Sequence, residues 1–215
     1  MTKTLSNLDI NSRNEMFRRL SCQYINPKSE LDFKNPFELL CAVVLSAQAT
    51  DASVNLVTPY LFEKAPDPEK MAALGADEIG KIIKSVGLWK NKSQNLVKLS
   101  LMLTEKYGGN VPQSYEELIK LPGVGSKTAK VVLNVAFHVP TVAVDTHIFR
   151  VSRRTGLCPG KTVKEVEENI VPLIDRQYLL NAHHYLLLHG RYVCTARKPD
   201  CENCCIKDLC LKLTL

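Results

Sequence analysis

The chain has 215 residues, 45% of them hydrophobic, and a formal net charge of +6. These values are typical of a globular protein of one large or two small domains, and the mild positive charge is compatible with a nucleic-acid partner. The apolar run from Leu39 to Leu45 is too short for a membrane span, and the N-terminal segment lacks the apolar stretch of a secretory signal. We therefore expect a cytoplasmic protein whose eight cysteines are not paired as disulfides.

The first half of the chain is predicted to be helical. Asn35 is a helix-capping residue, and the segment after it, FELLCAVVLSAQA, is apolar almost all round and so predicts a buried helix. The next helix is expected to be capped by Asp51 and to be kinked or shortened by Pro59. A further helix is expected to end at a left-handed Gly87, before a long amphipathic helix over 91–107.

The second half continues this pattern. Ser114 opens a capping box before a short helix, and a second helix begins near residue 126. The apolar run TVAV at 141–144 has no plausible strand partner and is interpreted as an extended loop. Helices are expected to resume at Thr146, at about Val163 and at Asn181, ahead of a polar, cysteine-rich end.

The five residues LPGVG lie between two predicted helices. Gly123 and Gly125 let the backbone turn tightly and approach a ligand, and the helix that follows presents unpaired amides at its positive end, as a phosphate site requires. Leu121 and Val124 are expected to tuck back between the helices. Together these features indicate a helix-hairpin-helix motif that holds the DNA backbone, with Gly123, Val124 and Gly125 as its DNA-binding residues. The alternative is an ordinary turn between two helices.

Lys127 and Asp145 are the candidate catalytic pair. The positive helix end beside Lys127 disfavours its ammonium form, and a partly desolvated neutral amine near DNA is a nucleophile that can form a Schiff base at C1′. Asp145 has the chemistry to relay protons and stabilise positive charge on the sugar. Each has a simpler interpretation, because Lys127 is also typical of a solvated helix start and Asp145 of an N-cap.

Five cysteines fall in the last 22 residues, and four of them follow a C-x6-C-x2-C-x5-C spacing at Cys194, Cys201, Cys204 and Cys210. Cysteines this dense in a cytoplasmic chain indicate a metal site, which would stabilise a segment too short to fold by burial alone. Spacing leaves both zinc and an iron–sulfur cluster open. Cys205 breaks the spacing and is interpreted as a non-ligand.

The segments LLCAVVLSAQATDASVN, LPGVGSKTAKVVLNVAF and TVAVDTHIFRVSRRTGL, with the cysteine cluster, resemble the endonuclease III family over essentially the whole chain. The resemblance implies that Lys127 carries the Schiff base, that Asp145 is the catalytic carboxylate and that the four cysteines hold a [4Fe–4S] cluster. A lysine at this hairpin position is typical of the bifunctional members, which cleave the strand as well as release the base.

The same resemblance implies that Gln48 and Leu88 fill the gap left by a flipped base, which offsets part of the lost stacking energy. Without it, Gln48 is a polar residue at a helix end and Leu88 an ordinary packing residue. Arg197 and Lys198, between the first two cluster ligands, are expected to contact phosphates, with a solvated basic loop as the alternative.

The expected fold is all-α with two helical domains that flank a DNA-binding cleft. A six-helix domain carries the hairpin (29–139), and both termini (1–28 and 140–215) build the cluster domain, which places Lys127 opposite Asp145. The expected enzyme is a monomeric, nucleoid-associated DNA glycosylase/AP lyase that excises oxidised pyrimidines from double-stranded DNA and cleaves abasic sites by β-elimination. A monofunctional glycosylase and a non-catalytic DNA-binding module are the alternatives.

Overall fold

A computed structural model describes residues 7–213, and all regular secondary structure within this range is helical, which confirms the all-α prediction. The chain forms two compact units. The hairpin unit is Ser29–His138, and the terminal unit joins the segment that ends at Lys28 to the segment that begins at Val139. Within residues 7–213, no helix is long and apolar enough to cross a bilayer.

In chain order, the helices of the described residues are α1 (Ile10–Gln23), α2 (Pro36–Ser46), α3 (Asp51–Asn55), α4 (Thr58–Lys64), α5 (Pro68–Ile82), α6 (Trp89–Tyr107), α7 (Tyr115–Leu118), α8 (Ser126–Phe137), α9 (Thr146–Thr155), α10 (Val163–Asn169) and α11 (Arg176–Tyr192), with a 3-10 turn at Val171–Leu173. Helices α2 to α8 belong to the hairpin unit, and α1 and α9 to α11 belong to the terminal unit.

Helix α2 is the centre of the hairpin unit, as its apolar sequence predicts. The Asn35 side chain accepts a hydrogen bond from the Glu38 amide at 2.9 Å, which satisfies one of the unpaired amides at the helix start. Leu39, Leu40 and Leu45 are fully buried. Full burial of such a side chain contributes about 1.5–3 kcal/mol, so this one helix stabilises the unit substantially.

The segment after α2 differs from the expectation in two details. Thr50, rather than Asp51, is the N-cap of α3, since its hydroxyl accepts from the Ser53 amide at 3.2 Å. Pro59 shortens the helix as predicted: α3 ends at Asn55, and Pro59 occupies the first turn of α4, where a missing amide costs nothing. The six helices expected for this domain are therefore seven in the described residues.

The predicted left-handed cap at Gly87 is wrong. Helix α5 ends at Ile82 with Ile83 as its C-cap, and the left-handed residue is Leu88, with φ 59° and ψ 26°, directly before α6. Local preference favours glycine at such a position. Close packing of α5 on α6 places the left-handed residue at Leu88 instead. A Cβ at Gly80 would lie 2.9 Å from the Trp89 ring, so the connection must reverse the chain sharply at the start of α6.

The terminal unit has its own core around α1, α9 and α11. Met16, Phe17 and Leu20 of α1 are fully buried in it. The segment 141–144 is extended without pairing as a strand, which confirms the loop prediction. Helix α11 begins at Arg176, earlier than the predicted start at Asn181, because Asp175 accepts from the Gln177 amide at 3.0 Å and caps the helix there.

Candidate active site and metal centre

The hairpin between α7 and α8 has the predicted geometry. Leu121 and Val124 are 2% and 7% exposed, so both side chains pack inward. Gly123 has φ 81°, and a Cβ there would lie 2.9 Å from Asn95 Nδ2 on α6. The turn therefore requires glycine at Gly123 for both backbone conformation and space.

The hairpin presents a small set of backbone donors. The Val124 amide donates to Leu121 O at 3.0 Å, so it is used within the turn. Among residues 7–213, the amides of Gly123 and Gly125 donate to no protein acceptor, and α8 begins after Gly125 without a side-chain cap. These two amides and the positive end of α8 suit a phosphate oxygen, whereas Val124 contributes packing.

Lys127 is the second residue of α8, immediately after the hairpin, and it is exposed. The helix and the turn therefore fix its Cα while the amine reaches solvent. The partial desolvation expected from the sequence is therefore not observed in the protein alone.

Asp145 is the N-cap of α9 in the terminal unit. Its Oδ1 accepts from the amides of His147 and Ile148 at 2.9 and 2.8 Å, and its Oδ2 lies 3.2 Å from His147 Nδ1. The side chain is only 12% exposed. The capping role considered from the sequence is therefore real, and it holds the carboxylate in one orientation with Oδ2 outside the backbone cap.

Gln48 and Leu88 lie on two neighbouring loops of the hairpin unit. Both are exposed, and both have left-handed backbones, with φ 56° and 59°. A Cβ added at Gly87 would lie 3.5 Å from Gln48 O, so the two loops lie close together. The structure brings this predicted pair together.

The four cysteines of the C-x6-C-x2-C-x5-C pattern all line one cavity of about 340 Å3, measured with its open mouth. Cys205 does not line it, which agrees with its interpretation as a non-ligand. Within residues 7–213, no three His, Cys, Asp or Glu side chains converge tightly enough to share a single metal ion. The four thiols thus share one cavity rather than one tight metal position.

The chemistry of the cavity fits an iron–sulfur cluster. Burial, reinforced by the neighbouring thiols, raises the pKa of Cys204 to about 11, and burial also raises the pKa of Cys210. Thiolates in such a place need a positive partner, and the iron ions of a cluster provide it. These cysteines would hold such a cluster, and the metal–thiolate bonds would fix the loop.

His189 contacts this site, although the sequence analysis assigned it no role. Burial lowers its pKa to about 4, so the imidazole is neutral. Its Nδ1 lies 3.3 Å from the Tyr24 hydroxyl and its Nε2 lies 3.5 Å from Cys204 Sγ. With Nδ1 accepting from Tyr24, the single ring N–H points at the sulfur. The available signal was the position of His189 five residues before Cys194.

The cysteine-rich segment 194–210, called the cluster loop below, is attached to α9, the helix that Asp145 caps. Arg150 donates to Cys194 O and Gly190 O at 2.9 and 2.8 Å, and Arg154 donates to Thr195 O at 2.6 Å. Because guanidinium groups make several directed bonds at once, the backbone on both sides of Cys194 is held to this helix.

Arg197 and Lys198 are exposed on the loop between the first two cysteines. The Thr195 hydroxyl donates to Lys198 O at 2.6 Å, and the Asp200 amide donates to Val193 O at 2.9 Å. These bonds give the loop a defined shape that carries both positive charges outward.

The comparisons with known proteins define first the class of protein. The family model described as "HhH-GPD superfamily base excision DNA repair protein" matches residues 41–175, and "Iron-sulfur binding domain of endonuclease III" matches residues 194–210. The chain is similar to endonuclease III of Rickettsia conorii, with 52% identity over 92% of this chain and 94% of the relative. It is 50% identical to endonuclease III of Escherichia coli K12, over 92% and 94% of the two chains.

Among solved structures, the fold is similar to that of a trapped endonuclease III–DNA covalent intermediate. The TM-score is 0.88 at 45% identity, over 95% of this chain and 97% of that one. A thermostable thymine-DNA glycosylase matches with a TM-score of 0.83 at 25% identity, over 94% and 96%.

The chain therefore belongs to the HhH-GPD superfamily of base excision DNA repair proteins and, within it, to the endonuclease III family. Its activity is that of a DNA glycosylase with AP lyase activity, and its cofactor is a [4Fe–4S] cluster. The prediction of family, activity and cofactor from the sequence is confirmed: of the two groups that the spacing left open, the comparisons support the iron–sulfur cluster.

Proposed function

We propose that Lys127 is the nucleophile of this enzyme. In the reaction, the neutral amine attacks C1′ of the damaged nucleotide, the N–C1′ bond forms, and the glycosidic bond breaks with its electron pair leaving on the base. A proton leaves the lysine nitrogen and the C1′–O4′ bond breaks, with O4′ taking up a proton, so that the sugar ring opens and a Schiff base forms. The Schiff base acidifies C2′. Loss of a C2′ proton then expels the 3′ phosphate, and water releases the sugar from the lysine. The placement of an exposed lysine one residue past a phosphate-binding turn is the observation that carries this proposal.

Substrate binding completes the activation of Lys127. The Lys127 side chain is exposed in the protein alone. A DNA strand seated on the Gly123 and Gly125 amides would exclude water from the α8 start. The lysine therefore becomes a nucleophile where a substrate is present.

Asp145 is proposed as the carboxylate partner of Lys127. Its two oxygens have different roles. Oδ1 accepts hydrogen bonds from the α9 amides. Oδ2, next to His147, is the oxygen that accepts and returns protons and stabilises positive charge on the sugar. Lys127 and Asp145 belong to different units. We propose the domain limits 29–139 for the first of these units and 1–28 with 140–215 for the second.

The remaining predicted site residues are assigned to DNA. Gly123 and Gly125 hold a backbone phosphate beside the buried Val124. Gln48 and Leu88 fill the space of the extruded base, for which their exposure and their neighbouring loops suit them. Arg197 and Lys198 contact phosphates from the cluster loop.

The proposed ligands of the cluster are Cys194, Cys201, Cys204 and Cys210.

The proposed substrate is double-stranded DNA that contains an oxidised pyrimidine or an abasic site. Two similar solved structures support DNA as the substrate, since they contain endonuclease III in a trapped covalent and in a non-covalent complex with DNA. We also propose that the enzyme acts as a monomer on the DNA of the nucleoid, in the cytoplasm. The two-unit chain contains every residue that the proposed reaction uses.

Borohydride trapping tests the assignment of Lys127. Reduction in the presence of abasic DNA should link the protein covalently to the strand. Lys127→Gln should abolish the link, and Lys127→Arg should abolish it while keeping the positive charge for DNA binding. Lys130→Gln, one helical turn along α8, is the matched control and should retain the adduct. An adduct that persists in Lys127→Gln contradicts the proposal, and base release without any adduct would indicate a monofunctional enzyme.

A further inference from the structure

A buried lysine joins the ends of α2 and α6. Lys92, on the first turn of α6, is 4% exposed, and its Nζ donates to Leu45 O at 2.8 Å. In a continuing helix, Leu45 O would accept the Ala49 amide, but that amide bonds to Ser46 O at 3.0 Å. Lys92 therefore satisfies a carbonyl that the end of α2 leaves unpaired.

This position is unfavourable for a lysine on general grounds. Desolvation disfavours the charged amine and lowers the pKa of Lys92, and the start of α6 adds the positive end of a helix dipole. A methionine fills similar space without either cost. The cost of burying a lysine here indicates that its bond to Leu45 O does more than fill space in the core.

The bond spans the two loops that carry Gln48 and Leu88. Leu45 ends the helix that leads into the Gln48 loop, and the Lys92 amide donates to Leu88 O at 3.1 Å. One residue thus holds the Leu88 loop through its backbone and the Gln48 loop through its side chain. Both loops contain non-glycine left-handed residues, a conformation that persists only when the surrounding structure imposes it.

We propose that Lys92 is a positioning residue for base extrusion, which fixes the spacing of the two loops so that Gln48 and Leu88 enter the DNA duplex together. Lys92 itself touches neither DNA nor the reacting atoms. This inference rests on the proposed role of Gln48 and Leu88 as the inserted residues. It deepens that role by naming the group that prepares the pair before DNA arrives.

The test compares two substrates with the cluster-loaded enzyme. One is a duplex with an oxidised pyrimidine, in which a base must be extruded. The other is a single-stranded oligonucleotide with an abasic site, in which no base needs to be extruded. Lys92→Met should slow single-turnover base release from the duplex by about 10-fold to 100-fold, the order of effect that a displacement of about 1 Å has on a positioned group. Borohydride trapping on the single strand should stay within about 2-fold of the parent enzyme.

Three further measurements separate positioning from a general loss of structure. Lys92→Arg keeps a hydrogen-bond donor and should recover part of the rate of base release from the duplex. Lys98→Met, at an exposed position of α6, should leave both the duplex rate and the single-strand trapping unchanged. A fluorescent base analogue next to the lesion should report reduced unstacking with Lys92→Met. All duplex rates are divided by the single-strand trapping amplitude, so a partly unfolded variant still gives a result.

A double-mutant cycle distinguishes the failure of this inference from the failure of the proposed function. Lys92→Met should add little to Leu88→Ala if it acts through Leu88. Equal losses on both substrates, or an unchanged duplex rate with Lys92→Met, would overturn the positioning role while Leu88→Ala still slows the duplex reaction. If Leu88→Ala and Gln48→Ala leave the duplex rate unchanged, the assignment of the inserted residues is itself wrong.

Discussion

Replacement of Asp145 separates its two functions, because asparagine retains one and removes the other. Asp145 Oδ1 accepts from two α9 amides, and asparagine caps helices about as well as aspartate. Asparagine has no carboxylate to accept a proton, however. Asp145→Asn should thus preserve α9 and inactivate the enzyme, whereas Asp145→Ala should damage both.

The expected magnitudes follow from the contacts. Loss of an N-cap side chain costs about 0.5–2 kcal/mol, and a change of this size lowers the melting temperature of a chain of this length by about 1–8 °C. Asp145→Asn should lose only the interaction of the charge with the helix start, about 0.3–1 kcal/mol. Loss of a proton-transfer group should lower base release about 10²-fold to 10⁴-fold in both variants.

The assay combines single-turnover base release with a melting curve, and the visible absorption of the cluster confirms that each variant is fully loaded. We expect the two variants to be equally inactive and to differ in stability. If Asp145→Asn instead keeps base release within a few-fold of the parent while Asp145→Ala loses both activity and stability, Asp145 is a capping residue only and the catalytic assignment is refuted.

Three other predictions concern the hairpin, the cluster and pH. Gly123→Ala should destabilise the protein by about 1–3 kcal/mol in denaturant unfolding, because its left-handed φ is unfavourable for alanine. Gly125→Ala, with no atom within 4 Å of the added Cβ, should have a much smaller effect. Equal losses of stability in the two variants would argue against this account of the turn. Cys204→Ser should abolish the visible absorption of the cluster, and Cys205→Ser should retain it; loss of absorption in both would make Cys205 a ligand. Burial lowers the pKa of His184 below its ordinary 6.5, so below pH 6.5 the unfolded state binds a proton that the folded state does not. The free energy of unfolding should therefore fall as the pH drops through that value. His184→Gln should weaken this pH dependence in unfolding curves, and an unchanged dependence of the free energy of unfolding on pH would contradict it.

The features that the sequence predicted well depend on neighbours along the chain. The caps at Asn35 and Ser114 each bind an amide three residues ahead, and Pro59 acts on its own helix start. The hairpin is similar, because a turn of five residues between two helices leaves few conformations for Gly123. Such interactions are local, and one sequence is enough to recognise them.

The errors and omissions lie where distant segments meet. Gly87 has the residue type for a left-handed cap, yet Leu88 adopts that conformation because α5 and α6 pack closely. Lys92 was missed although it shares a helix face with Leu96, Leu99 and Leu103, all buried. That spacing was the available signal, but the carbonyl it binds, 47 residues earlier in the chain, belongs to another helix.

The sequence alone predicted the helical content and the hairpin, because their signals are residue types at short fixed spacings. It also predicted the four candidate metal ligands and the two candidate catalytic residues, whose roles follow from the resemblance to the family. The tertiary structure decided which groups are buried, which carbonyl a lysine reaches and which loop residue takes a left-handed backbone. These depend on how helices far apart in the chain pack together, and packing sets the local dielectric and the space that each side chain can occupy.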